Sequence, residues 1–244
     1  MANTWHTWWK SLPPVVESTF GYIPGYAPHS VATQVSILRH YFPELRTASE
    51  NLAEGPLHLG AEAWFAIPRW QSIASTYGEA LHKILSKIGE AREGRFKNSL
   101  EEKAGLHYPQ CMRQVSRTAD AFDILAREQT IHGKPCDVLS LAAQFGKNYR
   151  GCSHNYVYEV MNPNEFGLDS FAIGSMLLTH SERLTSYGDL GASCIGDEFV
   201  REDINYPCTP FFYHDVGRIE FFADFFRHGN YVAVPHFGAP TGYL

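Results

Sequence analysis

The chain has 244 residues, of which 44% are hydrophobic and 19% charged, with 26 acidic against 20 basic side chains. This length and apolar content allow a sizeable core and argue against an intrinsically disordered chain. The net charge of -6 argues against general nucleic-acid binding, because affinity for phosphate backbones depends on clustered Lys and Arg.

Cysteine usage and hydropathy bear on the compartment. The 5 cysteines are an odd number and form no C-x-x-C pair, a pattern typical of reduced thiols rather than of a disulfide framework. The first residues lack the basic and then apolar pattern of a secretory signal. No uncharged stretch approaches the roughly 18 residues that a membrane span needs. We therefore expect a soluble, cytoplasmic protein without a membrane partner.

Residues 1–28 are rich in Trp, Tyr, Pro and Gly. This density of Pro and Gly opposes long regular elements, while the aromatic rings need to be covered. The composition predicts an aromatic N-terminal arm packed on a single globular domain that spans residues 1–244. Packing of the same arm on a second subunit is the alternative.

The first half of the chain shows helical periodicity on both sides of one strand pattern. Apolar residues recur at helical spacing from Val31, after Ser30 as N-cap, and the spacing predicts two longer helices over residues 69–95 and 110–129. Strict alternation over residues 56–68, between two prolines, predicts a strand. The polar stretch 96–108 is expected to be a loop or a short helix.

The second half mixes strands with one apolar helix. A continuous apolar run at 137–146 predicts a buried strand, and residues 164–184 predict a helix with acidic residues at its start. Residues 194–199 read as a short strand. Aromatic alternation around Val216 and Gly217 predicts a C-terminal antiparallel hairpin or meander. The fold class is therefore α+β, or mixed α/β, with central helices packed on a sheet.

The polar segment after the apolar run is the first candidate site. Glycines on both sides of Lys147 and Arg150 allow close approach of an anionic ligand. Cys152 and His154 lie two residues apart, so that contact between a nucleophile and a base is sterically allowed, although a small buried thiol is the commoner role of Cys. The candidate ligand-binding residues are Gln144, Lys147, Asn148, Arg150 and Asn155, and Cys152 and His154 are catalytic candidates.

Carboxylates provide the second candidate site. Glu165 and Asp169 lie four residues apart at the predicted start of a helix, where capping explains them fully. Asp197 and Glu198 are neighbours on a strand and therefore point to opposite sides, so that one can enter a cleft. Glycosidases and metal hydrolases both use paired carboxylates. Asp197, Glu198 and Glu165 are thus the acidic catalytic candidates of a hydrolase hypothesis.

Known signature motifs do not decide the function. The chain contains no Walker loop, no G-x-S-x-G elbow and no G-x-G-x-x-G fingerprint. The Cys and His spacings are not those of a structural zinc finger, so we predict no metal site, and the sequence names no cofactor.

Two functional hypotheses remain open. The first is an enzyme or binding domain for a polar, anionic small molecule, phosphorylated or nucleotide-like, held by the 144–155 loop, Glu165 and Asp197. The second is a non-catalytic assembly protein that uses aromatic-rich terminal surfaces to form homo-oligomers, because aromatic residues are enriched at interfaces. The first predicts a concave cluster of titratable groups, and the second predicts an exposed aromatic patch.

Overall fold

The structure is a computed structural model that describes residues 12–49, 53, 55–200, 207–223 and 232–244. Within these residues the α-helices are α1 (Val31–Tyr41), α2 (Tyr77–Ala91), α3 (Ser99–Ala104), α4 (Ser116–Glu128), α5 (His154–Val160) and α6 (Ser170–Thr179). The longest of these helices, α2, has 15 residues, and none of the described helices is long and apolar enough to cross a membrane.

The described strands are short and lie between these helices. They are β1 (Ala63–Pro68), β2 (Phe96–Asn98), β3 (Met112–Gln114), β4 (Thr130–Ile131), β5 (Lys134–Pro135), β6 (Val138–Gln144), β7 (Glu165–Gly167), β8 (Gly191–Ser193), β9 (Asp197–Phe199), β10 (Pro210–Asp215), β11 (Arg218–Ala223), β12 (Phe237–Gly238) and β13 (Thr241–Tyr243). Helices and mixed sheets together confirm the predicted α+β class.

The first sheet is built around β6. Its strand order is β1-β6-β13-β7, and each neighbouring pair is antiparallel. All residues of β6 are buried, as the continuous apolar run predicts. The last strand in the chain, β13, lies between β6 and β7, so that Thr241 is opposite both Gln144 and Gly167. Strand β13 thus joins β7 to the part of the sheet that β1 and β6 form.

The second sheet contains the predicted C-terminal hairpin. Its order is β12-β8-β10-β11-β2, and β10 pairs antiparallel with β11. The two strands meet at Val216 and Gly217, which have positive φ angles of 43° and 78°. Consecutive positive φ angles match the twist of a two-residue hairpin turn. Residues 224–231 lie outside the described residues.

Helix α6 forms the centre of the core. All 10 of its residues are buried, and it packs against α1, α2 and β1. α2 contributes the apolar stripe that the sequence shows, including Leu81, Ile84 and Ile88. A Cβ atom on Gly174 of α6 would lie 2.7 Å from Cγ2 of Ile84, so the two helices approach closely because residue 174 has no side chain.

Two predicted helices begin later than their periodicity indicates. Thr76 caps α2 by accepting a hydrogen bond from the backbone N–H of Glu79 (3.3 Å), whereas Trp70–Ser72 form one turn of 3-10 helix. The helix predicted from residue 110 begins only at Ser116. The preceding Met112–Gln114 instead pair with β9. Pairing with a strand distant in sequence overrides local periodicity here.

Two further predictions need correction. The strand predicted over 56–68 is limited to Ala63–Pro68. The helix predicted from residue 164 is wrong at its start, because Glu165 lies in β7 opposite Tyr243 and α6 begins only after Asp169. Glu165 and Asp169 therefore do not share a helix face. Strand pairing of residues 165–167 with β13 is the physical cause.

The described part of the N-terminal segment runs across this body. The backbone N–H of Val16 donates to the carbonyl oxygen of Gly151 at 2.8 Å. Tyr22 and Tyr26 stack on the guanidinium of Arg183, 4.0 and 5.3 Å from the ring centroids. Such cation–π contacts stabilise the guanidinium of Arg183, which is fully buried. The three Trp residues of the predicted arm precede residue 12 and lie outside the described residues.

Candidate functional site

Two carboxyl groups meet at the N-terminus of α6. Asp169 is the N-cap, and its Oδ1 accepts a hydrogen bond from the backbone N–H of Ala172 at 2.6 Å. Asp197, from β9, accepts the backbone N–H of Ser170 on its Oδ2, also at 2.6 Å. Both side chains are only 1% exposed. The positive end of the helix dipole thus holds two buried carboxyl groups.

Side chains from two further elements complete the cluster. The hydroxyl of Tyr77, the first residue of α2, donates to Oδ1 of Asp197 at 2.6 Å. The side-chain amide of Gln114, on β3, donates to Oδ2 of Asp169 at 2.6 Å. Each carboxyl oxygen therefore accepts one hydrogen bond, and four separate elements fix the geometry. We call Asp169, Asp197, Tyr77 and Gln114 the carboxyl cluster.

Burial changes the acidity of the pair. Burial raises the pKa of Asp169 to about 6. The hydrogen bonds from Ala172 and Gln114 lower this pKa, but their effect is smaller than that of burial. Burial raises the pKa of Asp197 well above its ordinary value, and the negative charge of Asp169 raises it further. Two adjacent buried carboxyl groups cannot both ionise without a large desolvation and repulsion cost. The pair therefore retains a proton at neutral pH.

A cavity opens directly beside one member of the pair. Its volume is about 180 Å³, and it lies between the end of β1, the face of α4 and the start of α6. Its wall is formed by Ile67, Pro68, Arg69, Trp70, Gln71, Gln114, Ala119, Phe122, Asp123, Ala126, Leu139, Asp169 and Phe171. Asp169 and Gln114 thus contact any occupant, whereas Asp197 acts from behind Asp169. A carboxyl group with a pKa near neutrality is suited to proton transfer.

The predicted acidic residues are placed in three different environments. Asp197 belongs to the carboxyl cluster. Glu198 points to the other side of β9 and forms an ion pair with Arg113 at 2.7 Å. Glu165 accepts hydrogen bonds from the hydroxyls of Tyr149, at 2.9 Å, and Thr241, at 2.5 Å. Of these three carboxylates, Asp197 is the one placed in the cluster beside the cavity.

The predicted ligand-binding loop is tied to the first sheet. Gln144 joins the Glu165 network, because its side-chain amide donates to the hydroxyl of Thr241 at 2.9 Å. Asn148 donates from its side chain to the carbonyl of Gly60 at 2.8 Å. Both contacts are consistent with a structural role in closing the sheet. The structure thus brings Gln144 and Glu165 together, and leaves them apart from Asp197.

The remaining predicted residues lie at the surface of the same region. The side chains of Lys147 and Arg150 are exposed. Burial raises the pKa of the Cys152 thiol, which reduces the thiolate fraction that a nucleophile needs. His154 and Asn155 are half-buried at the start of α5. Among the described residues, no group of three or more His, Cys, Asp or Glu side chains is arranged to hold a metal ion.

Sequence reasoning missed two members of the carboxyl cluster. Tyr77 appears in the sequence only as part of the apolar stripe of α2, and its hydroxyl partner lies 120 positions away in the chain. Gln114 was placed in a helix rather than in β3. The sequence predicts Asp169 in the first turn of a helix, whereas it is the N-cap of α6, and its place in the wall of a cavity has no local signal. No family model matches the chain, and neither a curated protein nor a solved structure matches it.

Proposed function

We propose that this protein binds a ring-sized small molecule in the cavity beside Asp169 and exchanges a proton with it. The observation that carries this proposal is the buried carboxyl pair, one member of which forms part of the cavity wall. Asp169 is the group that contacts the reacting molecule. Asp197 is a positioning residue, which holds the proton of the pair next to Asp169.

The size and lining of the cavity define the ligand class. A dry cavity of about 150 Å³ is large enough for benzene, and this one is about 180 Å³. Its walls are mainly apolar and aromatic, with two glutamine amides as neutral polar groups. Arg69 is its one cation, against the carboxyl groups of Asp123 and Asp169. This balance favours a neutral ring compound with one hydrogen-bonding group over a multiply charged anion.

We expect phenol, benzyl alcohol or benzamide to bind in the cavity, and saturation-transfer NMR would detect the complex. Ala119→Leu should abolish the signal, because the larger side chain fills the space beside Phe122. Ala119→Ser keeps the cavity open and is the matched control. Binding that survives Ala119→Leu, or absence of binding by all three probes, would remove this site from consideration.

The proposed proton exchange between Asp169 and the bound molecule is tested separately. Asp169→Asn retains the helix cap, since Asn and Asp are equivalent N-cap residues. Benzamide affinity in the wild type should change between pH 5 and pH 7, as the carboxyl group with a pKa of about 6 ionises. In Asp169→Asn the affinity should be flat over this range. An unchanged pH profile in the variant would assign Asp169 a purely structural role.

One observation favours the assembly hypothesis as a second candidate function. Phe211 lies beside Phe222 and Phe237, with ring centroids 5.2 and 4.8 Å away, and all three rings are half-buried. Such a cluster on a sheet is typical of interface surfaces. If it mediates assembly, the wild type should sediment as a dimer and Phe211→Ser as a monomer. A wild-type monomer at high concentration would dismiss this candidate.

The anionic ligand predicted at the 144–155 loop remains a separate proposal. Lys147 and Arg150 are accessible there, but the cavity beside the carboxyl cluster does not include them. The two sites are therefore distinguished by substitution. Arg150→Gln should reduce binding of an anion at the loop and leave benzamide binding in the cavity unchanged.

A further inference from the structure

A second concave site lies on the other side of the core. It has a volume of about 200 Å³ and is bordered by the end of α2, the segment after α6 and the β10–β11 turn. Its wall includes the side chains of Arg92, Arg95, Arg218 and His214, and contains no carboxylate. We call it the basic groove. It shares no wall residue with the cavity beside Asp169, so its function is independent of the one proposed above.

The cations of the groove are held in position by the backbone. Arg92 is 8% exposed, and its Nη2 donates to the carbonyl oxygen of Arg183 at 2.8 Å. Arg95 donates from Nε to the carbonyl oxygen of Arg92 at 3.3 Å. Arg218 begins β11, directly after the hairpin turn. Three guanidinium groups from two distant parts of the chain are thus brought to one groove.

The carboxylates near these cations lie outside the groove wall: Glu182 and Asp189 act on Arg92, and Asp215 is opposite Arg218 in the β10–β11 pair. Glu93 approaches Arg95 only to 3.9 Å, and both side chains are more than two-thirds exposed, so the pair is weak. The carboxylate of Asp189 accepts hydrogen bonds from the backbone N–H groups of Thr185 and Ser186, at 2.6 and 3.0 Å.

Two nitrogen atoms that belong to residues of the groove have no hydrogen-bond partner among the described residues. Nε of Arg218 and Nδ1 of His214 are buried, and neither forms a hydrogen bond to any residue that the structure describes. Buried polar groups are usually paired, and an unpaired one is costly. Both atoms belong to residues that line the groove, and because each atom is itself buried, a ligand reaches it only when the side chain turns towards the groove.

We propose that the basic groove binds a phosphate group, either inorganic phosphate or the phosphate of a small monoester. Guanidinium groups present several N–H donors in fixed directions and match the oxygens of a phosphate. The hydroxyl of Ser181, which also lines the groove, adds a neutral donor. The restricted volume and the net charge of -6 favour a small phosphorylated molecule over a nucleic-acid backbone.

Calorimetric titration with inorganic phosphate at low ionic strength tests the proposal. The wild type should bind one phosphate, and Arg95→Gln should weaken binding about tenfold by removing a charge-assisted donor. Ser181→Glu should weaken binding at least as much, because it places a carboxylate at an exposed position in the groove without disturbing the core. Arg113→Gln, which removes a surface arginine paired with Glu198, is the control and should bind normally.

A parallel titration with phenyl phosphate distinguishes the two sources of the ligand. Tighter binding of phenyl phosphate than of inorganic phosphate would indicate a phosphorylated metabolite, and the reverse would indicate free phosphate. The proposal is overturned if neither compound binds at millimolar concentration. It is equally overturned if Arg113→Gln weakens binding as much as Arg95→Gln, because this would reflect general surface charge.

Discussion

Replacing Gly78 by alanine is expected to destabilise the protein by about 3 kcal/mol or more, as overpacking of a rigid site does. Gly78 lies in the first turn of α2, and a Cβ atom there would lie 1.8 Å from the carbonyl oxygen of Pro109. The obstacle is a backbone atom, so no side-chain rotation can relieve the clash. α2 would have to move away from residue 109, and this movement would displace the neighbouring Tyr77, whose hydroxyl donates to Asp197.

Another glycine of α2 provides a matched control, because its replacement by alanine is expected to stabilise the protein. A Cβ atom on Gly89 would lie 3.7 Å from Cδ1 of Phe96, which is an ordinary van der Waals distance. Gly89→Ala should therefore stabilise the protein by about 0.5–1 kcal/mol, since alanine has the higher helix propensity. Urea denaturation of both variants measures the difference. Equal midpoints for the two variants would contradict the close approach of α2 to Pro109.

The second large effect concerns the pH dependence of stability at the carboxyl pair. The pKa of Asp169 is raised in the folded state from 3.8 to about 6, so the folded state binds protons more tightly than the unfolded chain. Its contribution to stability is complete below about pH 4 and is lost as the pH rises through 6. Two units of pKa correspond to about 3 kcal/mol. The buried proton of Asp197 acts in the same direction, because burial also raises its pKa.

Asp197→Asn imitates the protonated pair. The Asn oxygen can accept from the backbone N–H of Ser170, and its amide group can donate to the hydroxyl of Tyr77, which accepts instead of donating. The variant should be close to the wild type in stability at pH 5. At pH 8 it should be more stable than the wild type by about 2 kcal/mol, because the folded wild type must hold a proton on Asp197 that the unfolded chain has already lost.

Asp123→Asn is the control for this comparison. Asp123 lines the same cavity but is exposed, and it is not part of the carboxyl cluster. Its unfolding free energy relative to the wild type should be independent of pH between 5 and 8. Parallel pH profiles of the wild type and Asp197→Asn, measured by chemical denaturation, would show that the pair does not retain a proton.

Both predictions depend on tertiary contacts that have no counterpart in local sequence. Gly78 appears in the sequence as an ordinary interruption of an amphipathic helix, and Asp197 as one of two adjacent carboxylates. Helix packing against Pro109 and the meeting of β9 with α6 give these residues their importance. The candidate site could be predicted only in part for this reason. The sequence identifies Asp197 as a candidate and places Asp169 near the start of a helix, whereas the partnership of the two residues depends on tertiary packing.

The basic groove also depends on contacts between segments that are distant in the sequence. Arg92 and Arg95 appear in the sequence as polar residues at the end of a helix, and Arg218 as the residue after a turn. The parallel pairing of β2 with β11 brings these segments together. Lys147 and Arg150, by contrast, form an anion site that is predicted from the sequence, because glycines flank them in the chain. Sequence proximity is a poor guide to charge clustering when sheet pairing joins distant segments.

The sequence by itself determined the elements whose signal is local and repeated. The amphipathic stripe of α2, the apolar run of β6 and the Val216-Gly217 turn are examples, and together they establish the α+β class. Only the tertiary structure decided which short segments become strands and which polar groups are buried. β3 is a strand because β9 pairs with it. A carboxyl group acquires a raised pKa only when long-range packing removes water from it.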